Sequence, residues 1–181
     1  MLVVVAATER ELRGADGSST VVCGVGPVDA AAATARALAE LRPAVLLHVG
    51  LAGARRGCGI EPPQLVLGSE SIYCDTDSPL VAARVEPSPE LLAAARGAFP
   101  NAVVAPIGTS ARVGGTSGCD VEAMEGFAVL RAAQLAGVPA LEVRAVANEI
   151  EEADRGRWRF DDALAALERA LPLLVRTLAK G

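Results

Sequence analysis

The sequence predicts an α/β fold, with helices flanking a largely parallel or mixed central β-sheet. Three observations predict it: short apolar runs recur along the chain, helical patterns alternate with them, and glycine-rich segments follow several of the runs. The 181 residues suit one domain with a substantial core, and we expect a single domain over residues 1–181. Much of the 51% hydrophobic content is alanine and valine, which favours tight packing of helices on a sheet.

Apolar runs of a few residues are the predicted strands. The first, residues 2–7, is apolar throughout, as expected of a strand that is buried on both faces. The others cover residues 20–23, 44–49, 64–70, 103–107 and 141–147. Because α/β sheets bind ligands beyond the carboxyl ends of their strands, we expect a site near the glycine-rich segments at residues 24–26, 50–53 and 114–115.

Four helices are predicted from alanine-rich or amphipathic patterns with recognisable ends. Ser88 is a good N-cap with Pro89 at the first helical position, and Gly137 is a typical C-terminal stop. The predicted helices cover residues 28–41, 89–99, 125–136 and 161–179.

Composition and charge exclude several classes of partner. The net charge of −5 argues against nucleic-acid binding, because neutralising phosphates requires a basic face. No stretch of about 18 apolar residues is present, so no membrane span is expected. The cysteines (Cys23, Cys58, Cys74 and Cys119) lack metal-ligand spacing, and His48 is the only histidine. We therefore expect buried free thiols, no metal, no cofactor and a cytoplasmic location.

Two glycine segments leave alternatives open. Gly24-Val25-Gly26 lies between a predicted strand and helix, like a dinucleotide loop, but the third glycine of that motif is replaced by Asp29. Such a fragment alone is a weak signal, and a tight strand-to-helix turn is the favoured interpretation. In the same way, residues 50–53 (Gly-Leu-Ala-Gly) are either a tight turn or a place where a flat ligand lies directly against the backbone.

Polar residues follow three of the predicted strands. Glu9 and Glu11 come after the first, Glu122 and Glu125 precede a predicted helix, and Asn148 ends the last strand. Taken singly, the acids fit solvated groups at helix N-termini, and Asn148 fits a turn cap. Their occurrence together with the glycine segments is what favours a functional site.

The order of five motifs resembles the purine nucleoside phosphorylase/nucleosidase superfamily. In chain order they are Ala-Ala-Thr-x-x-Glu from residue 6, Gly-Val-Gly-Pro from 24, Val-Gly-Leu-Ala-Gly from 49, Glu-Ala-Met-Glu-Gly from 122 and Arg-Ala-Val-Ala-Asn from 144. The resemblance implies a three-layer phosphorylase/hydrolase-like fold and cleavage of the N-glycosidic bond of a purine nucleoside. Within the superfamily, Asn148 followed by Asp154-Arg155-x-x-Trp158 resembles the futalosine hydrolases of menaquinone biosynthesis, which release hypoxanthine.

The resemblance also implies the roles of individual residues. Glu11 would position and deprotonate the attacking water, and Glu125 would accept hydrogen bonds from the ribose hydroxyls. Met124 would pack against the sugar. Asn148 would donate to O6 and accept from N7–H of a 6-oxopurine, whereas adenine-specific relatives carry an acid there.

Other expected binding residues surround the base and the far end of the substrate. Ala52, Gly53 and Val113 would line the base pocket. Arg155 and Trp158 could hold the carboxylate and the ring of futalosine's benzoate-like group. Alternatively, Arg155 pairs with Asp154 and Trp158 covers the edge of the core.

Phosphorolysis is the alternative reaction within the superfamily. Phosphorylases bind phosphate through an arginine and a serine at the positions held here by His48 and Leu51, and Glu11 would repel phosphate. Water is therefore the expected nucleophile, and His48 is expected to support the site indirectly or to pack. The reaction is expected to need only nucleoside and water, in a homodimer or larger homo-oligomer. Methylthioadenosine/S-adenosylhomocysteine or inosine cleavage, or an inactive purine-binding protein, remain open because residues 14–19 and 116–120 are shortened.

Overall fold

The computed structural model describes residues 1–116 and 118–180. Within this part of the chain, eight strands form one mixed sheet and four α-helices flank it, which confirms the predicted fold class. The strands are β1 (Leu2–Ala6), β2 (Ser19–Val22), β3 (Val45–Ala54), β4 (Leu65–Tyr73), β5 (Arg84–Val85), β6 (Val103–Thr109), β7 (Val121–Ala123) and β8 (Ala140–Glu149). The helices are α1 (Pro27–Leu41), α2 (Pro89–Ala98), α3 (Gly126–Leu135) and α4 (Phe160–Leu178).

The sheet closes on itself through its longest strands. β3 runs parallel to β8 over nearly its whole length, and β8 pairs antiparallel with β4. β4 continues to β6 and β7, and β7 returns to the end of β3. β1 joins the beginning of β3 on its other side and carries β2 outward. The carboxyl ends of β1, β3 and β8 therefore lie side by side.

Apolar side chains fill both faces of the sheet and the space within its curve. α2 and α4 pack on one face, where Leu167, Leu171 and Leu174 are fully buried. α1 and α3 pack on the other face, around Val129 and Leu130. A third cluster of small and branched residues lies where the sheet curls: Ala52, Ala54, Val66, Ile107, Val121, Ala123 and Val146. Alanine at many of these positions allows the close packing that the composition indicated.

The helix predictions are confirmed, and their end signals act as expected. The Ser88 side chain accepts a hydrogen bond from the Leu91 amide at 3.3 Å, which caps α2. Gly137 follows α3 with φ of +69°, a conformation that glycine adopts without strain. Among the described residues, no helix has the length and apolar character needed to cross a membrane.

The interpretation of residues 50–53 as a tight turn is wrong. These residues continue β3 to Ala54 and pair with β8, with a bulge between Ala52 and Gly53. Two strands were not predicted at all, because β5 and β7 have only two and three residues and carry no periodic pattern. Ser117, in the shortened segment 116–120, lies outside the described residues.

Candidate active site

A cavity of about 340 Å³ opens where β1, β3 and β8 end and where β7 leads into α3. It contains eight of the nine binding or catalytic residues predicted from the sequence, all except Arg155. Its lining comprises Ala7, Thr8, Arg10, Glu11, Val25, Leu51, Ala52, Gly53, Val113, Glu122, Ala123, Met124, Glu125, Ala147, Asn148, Trp158, Phe160 and Leu164. Segments far apart in the chain thus converge on one site, as expected at the carboxyl ends of strands.

Glu11 is held by a short 3₁₀ turn, Glu9–Leu12, directly after β1. Its Oε2 accepts hydrogen bonds from the Thr8 amide at 2.9 Å and from the Thr8 hydroxyl at 2.8 Å. Its Oε1 accepts from the Leu51 amide of β3 at 3.0 Å. These donors fix a buried acceptor-only group against the cavity wall, which suits a carboxylate with a defined task.

Glycine at position 50 leaves room for the charged groups of the site. A Cβ there would strike Nη1 of Arg144 and would come within 2.9 Å of Glu11 Oε1. A side chain at this point of β3 would therefore displace both groups. The glycine serves close approach of side chains from neighbouring strands, and the strand does not turn there.

Glu125 lies at the start of α3 with its carboxylate directed to two other elements. Oε1 accepts a hydrogen bond from the Gly26 amide, at the N-terminus of α1, at 3.1 Å. Oε2 forms an ion pair with Arg144 Nη1 at 3.3 Å. The Gly26 amide, which a dinucleotide loop would offer to phosphate, is thus bound to Glu125. This supports the turn interpretation of residues 24–26.

Arg144 is the centre of a buried polar network that the sequence reasoning missed. Its Nε pairs with Glu142 Oε1 at 2.8 Å, and its Nη1 also donates to the Leu51 carbonyl at 3.3 Å. The other oxygen of Glu142 accepts from the Ser71 hydroxyl of β4. Burial alone would lower the pKa of Arg144, but Glu142 and then Glu125 outweigh it, so the pKa is raised and the guanidinium stays charged.

His48 completes this network from β3. Its ring bonds to the Val5 carbonyl through Nδ1 at 3.0 Å and to Arg144 Nη2 through Nε2 at 2.6 Å. Burial, reinforced by the charge of Arg144, lowers the pKa of His48 well below its usual value. The ring is therefore neutral, with Nδ1 donating and Nε2 accepting. His48 does not line the cavity and supports Arg144 from behind.

Asn148 is the penultimate residue of β8 and lines the cavity. One hydrogen of its Nδ2 is donated to the Glu149 carbonyl at 2.9 Å. A side-chain amide has two N–H donors and a carbonyl acceptor, so one donor and the acceptor remain available to a ligand. Gly53 on β3 provides the space, since a Cβ there would lie 3.0 Å from Nδ2.

Glu122 is a further buried acid, and its interpretation as a helix-terminal surface group is wrong. It lies in β7 and accepts hydrogen bonds from the amides of Gly114 at 2.6 Å and Thr116 at 3.2 Å. The Thr116 hydroxyl adds a third bond at 2.8 Å. Glu122 therefore fastens the loop that brings Val113 to the cavity.

Arg155 lies outside the cavity lining, and its expected pairing with Asp154 is not formed. Its guanidinium lies over the Trp158 ring, 5.5 Å from the ring centre, whereas Asp154 accepts a hydrogen bond from the Gly156 amide at 2.9 Å and lies 3.9 Å from Arg157. The Trp158 indole donates to the Glu152 carbonyl at 2.9 Å. Trp158 itself does line the cavity, beside Phe160.

The chemistry of the thiols fits packing roles. Burial, and next the neighbouring Glu125, raise the pKa of Cys23 to about 12, so this thiol stays protonated. Cys23 and Cys119 are buried as expected, whereas Cys58 and Cys74 are only partly buried, which corrects the prediction for these two. In residues 1–116 and 118–180, no three histidine, cysteine or acidic side chains come close enough together to hold a metal ion.

Comparison with known proteins places this site in a family. Residues 14–112 match the family model described as the phosphorylase superfamily. The chain is 38% identical to futalosine hydrolase from Streptomyces coelicolor over 196 aligned positions, covering 90% of this chain and 80% of that protein.

Solved structures share the fold at lower sequence identity. Futalosine hydrolase from Helicobacter pylori superposes with a TM-score of 0.82 at 15% identity, covering 99% of this chain and 97% of that one. A 5′-methylthioadenosine/S-adenosylhomocysteine nucleosidase from S. pneumoniae, bound to a transition-state inhibitor, also gives 0.82, at 20% identity and 99% coverage of both chains.

Proposed function

The chain belongs to the phosphorylase superfamily and, within it, to the family of the futalosine hydrolases, and we propose that it hydrolyses futalosine to hypoxanthine and the dehypoxanthinyl product. It is an N-glycosyl hydrolase of purine nucleosides. The S. coelicolor relative carries the substrate assignment, and the placement of the cavity residues supports it.

The reaction develops positive charge on the ribose and negative charge on the departing base. We propose that Glu11 orients and deprotonates the attacking water, and that Glu125 binds the ribose hydroxyls. Both carboxylates line the cavity and lie where they would also stabilise a cationic sugar. Met124 would cover the sugar with its thioether.

Asn148 would recognise the base and stabilise it as it leaves. Its free N–H suits O6 of hypoxanthine, and its carbonyl suits the N–H that forms at N7. Ala52, Gly53 and Val113 would enclose the purine, since all three border the same cavity.

Water is favoured over phosphate as the nucleophile because the buried arginine already has partners for its charge. Arg144 is already paired with Glu142, Glu125 and the His48 ring. Arg144 is not among the lining residues, and the cation among those described is Arg10, an exposed side chain next to Asp161. A phosphate dianion next to Glu11 and Glu125 would lack a partner for its charge.

The far end of the cavity suits an aromatic acid. Trp158 and Phe160 lie with ring centres 5.4 Å apart and line the cavity together with Leu164 and Arg10. We propose that the benzoate-like ring packs on these aromatic side chains and that its carboxylate binds Arg10. Arg155 would act indirectly, by holding Trp158 through its cation–π contact.

We also propose a cytoplasmic location, a role in menaquinone biosynthesis and a homo-oligomeric assembly. The free thiols of the described residues are compatible with the cytoplasm, where menaquinone biosynthesis by the futalosine route would use the enzyme. A homodimer or larger homo-oligomer would cover the apolar groove of about 780 Å³ between α1 and α3, bordered by Val28 and Leu135.

One assay decides both the substrate and the reaction. The protein is incubated with futalosine, inosine or methylthioadenosine, with and without phosphate, and the free base is followed. Release of hypoxanthine from futalosine without phosphate is expected. Failure to release it would overturn the proposed substrate, and a requirement for phosphate would overturn hydrolysis. Binding of hypoxanthine with no turnover of any nucleoside would instead favour an inactive purine-binding protein.

A further inference from the structure

Glu142 is a fully buried carboxylate outside the cavity lining. It lies in β8 two residues before Arg144, so both side chains project from the same face of the strand. A buried charge without a partner is strongly unfavourable, so the groups around Glu142 must compensate its burial.

Three elements build a close-fitting site around this carboxylate. Arg144 donates to Oε1 from within β8 at 2.8 Å, and Ser71 donates to Oε2 from β4. On α3, the first residue is Gly126, where a Cβ would strike the carboxylate oxygens. Both oxygens are thus occupied, and the glycine leaves the space that they need.

The pairing distances indicate how the charge of Arg144 is shared. Nε lies 2.8 Å from Glu142, whereas Nη1 lies 3.3 Å from Glu125. The closer pair is therefore the one behind the site. Three buried carboxylates, Glu11, Glu125 and Glu142, surround a single buried guanidinium, while burial and Arg144 keep His48 neutral.

We propose that Glu142 is a positioning residue that neutralises Arg144 from outside the cavity, so that the guanidinium does not cancel the attraction of Glu11 and Glu125 for the cationic sugar. The inference rests on the proposed glycosidic hydrolysis. Without Glu142, the guanidinium would draw its counter-charge from the two cavity carboxylates, and the site would lose stabilisation of the positive ribose. Binding of the neutral nucleoside in its ground state would be affected much less.

The test compares two ligands that differ in the charge of the sugar. One is an iminoribitol nucleoside with a protonated ring nitrogen, and the other is the neutral ribose nucleoside. Both carry 9-deazahypoxanthine through a carbon–carbon bond that cannot be hydrolysed. Glu142→Gln, which keeps the size of the side chain and one accepting oxygen for Arg144, should weaken binding of the cation ~10-fold or more and of the neutral ligand by less than ~3-fold. Calorimetry gives both affinities.

Ser71→Ala and Glu142→Asp are the matched controls, because each alters the contacts of residue 142 and retains its charge. Both should keep the wild-type ratio of the two affinities, even if thermal stability falls. An equal loss of affinity for both ligands in Glu142→Gln would show a merely structural role and overturn the inference. So would a lowered ratio of cation to neutral-ligand affinity in either control. If Glu142→Gln does not fold, the two controls still decide.

The ratio of the affinities for the cationic and the neutral ligand also separates this inference from the proposed function. A wild-type protein that binds both ligands but does not release hypoxanthine from futalosine would overturn the substrate and leave the ratio measurable. Binding of neither ligand would overturn both.

Discussion

The carboxylate of Glu11 accepts a hydrogen bond from the backbone amide of Leu51 at 3.0 Å, joining the turn after β1 to the middle of the cavity wall. The Leu51 carbonyl in turn accepts from Arg144 at 3.3 Å. One peptide segment of β3 thus connects the proposed water-activating acid to the buried arginine.

Replacing Glu11 by Gln should abolish most hydrolysis while the nucleoside still binds. Gln keeps the size of the side chain but cannot accept the proton of the attacking water, so kcat should fall by ~10²–10⁴-fold. Steady-state release of hypoxanthine measures kcat, and calorimetry with the neutral 9-deaza ligand measures binding. Glu9→Gln, an exposed acid on the same turn, should behave like the wild type. Normal turnover of Glu11→Gln would reject the assigned role.

Replacing Asn148 by Asp should remove activity on hypoxanthine nucleosides and shift preference toward adenine nucleosides. The acid takes away the donor to O6 and offers an acceptor that suits an exocyclic amine. Because the site would lose a hydrogen-bond donor to the base, kcat/KM for futalosine relative to methylthioadenosine should fall ~10²-fold or more. Competing futalosine against methylthioadenosine measures the ratio, with the exposed Asn101→Asp as control. An unchanged ratio would contradict base recognition by Asn148.

Replacing Gly50 by Ala should damage the site and the fold together. The added methyl group would push against Arg144 and Glu11, so activity and melting temperature should both fall. Gly97→Ala is the matched control: it lies in α2 with open space at its Cβ position, so a gain of ~0.5–1 kcal/mol in the free energy of unfolding is expected. Thermal unfolding and hypoxanthine release measure the two effects. Wild-type behaviour of Gly50→Ala would contradict the packing described.

The sequence was sufficient to predict the fold class and eight of the eighteen residues that line the cavity, for reasons visible in particular residues. Buried strands such as β1 are continuous apolar runs, and α2 begins with a recognisable Ser-Pro signal. Glu11, Glu125 and Asn148 could be singled out because each belongs to a motif that resembles the superfamily. Glu11 and Asn148 lie at the ends of predicted strands, and Glu125 lies at the start of a predicted helix. A motif of this kind indicates a residue but not its partners.

What the sequence could not show are contacts between distant strands. The role of Gly50 stayed open between a turn and a ligand contact, because its close approach to Arg144 depends on the pairing of β3 with β8. Glu142 and Arg144 carried a signal that was overlooked: opposite charges two residues apart inside an apolar strand must be paired on one buried face. The sequence left Arg155 either binding the substrate carboxylate or pairing with Asp154, whereas its side chain lies over the Trp158 ring and outside the cavity lining.

Replacing Leu135 by Glu should reduce the molar mass of the particle in solution. Leu135 and Val28 are 72% and 78% exposed, respectively, beside the apolar groove between α1 and α3. Such side chains pack between subunits at an interface, where a charge would be desolvated. Light scattering should give a dimer or larger particle for the wild type and a smaller one for the variant. Leu80→Glu, at an exposed leucine outside the groove lining, is the control. A monomeric wild type would overturn the proposed assembly.

Replacing Arg10 by Gln should selectively weaken the binding of futalosine. Arg10 is a cation of the cavity lining, and its present partner, Asp161, is almost fully exposed and can be replaced by a substrate carboxylate. KM for futalosine should rise ~10-fold, the size of a charge-assisted hydrogen bond, while KM for inosine, which has no such carboxylate, stays the same.

Two further variants separate binding of the carboxylate from general damage to this rim. Arg13→Gln, an exposed arginine nearby in the chain, should change neither KM. Arg155→Gln should raise KM for futalosine by a smaller factor, because it removes only the cation–π contact that holds Trp158. The methyl ester of futalosine lacks the carboxylate, so its KM should be insensitive to Arg10→Gln. A larger effect of Arg155→Gln than of Arg10→Gln would return the carboxylate to Arg155, as the sequence pattern alone indicated.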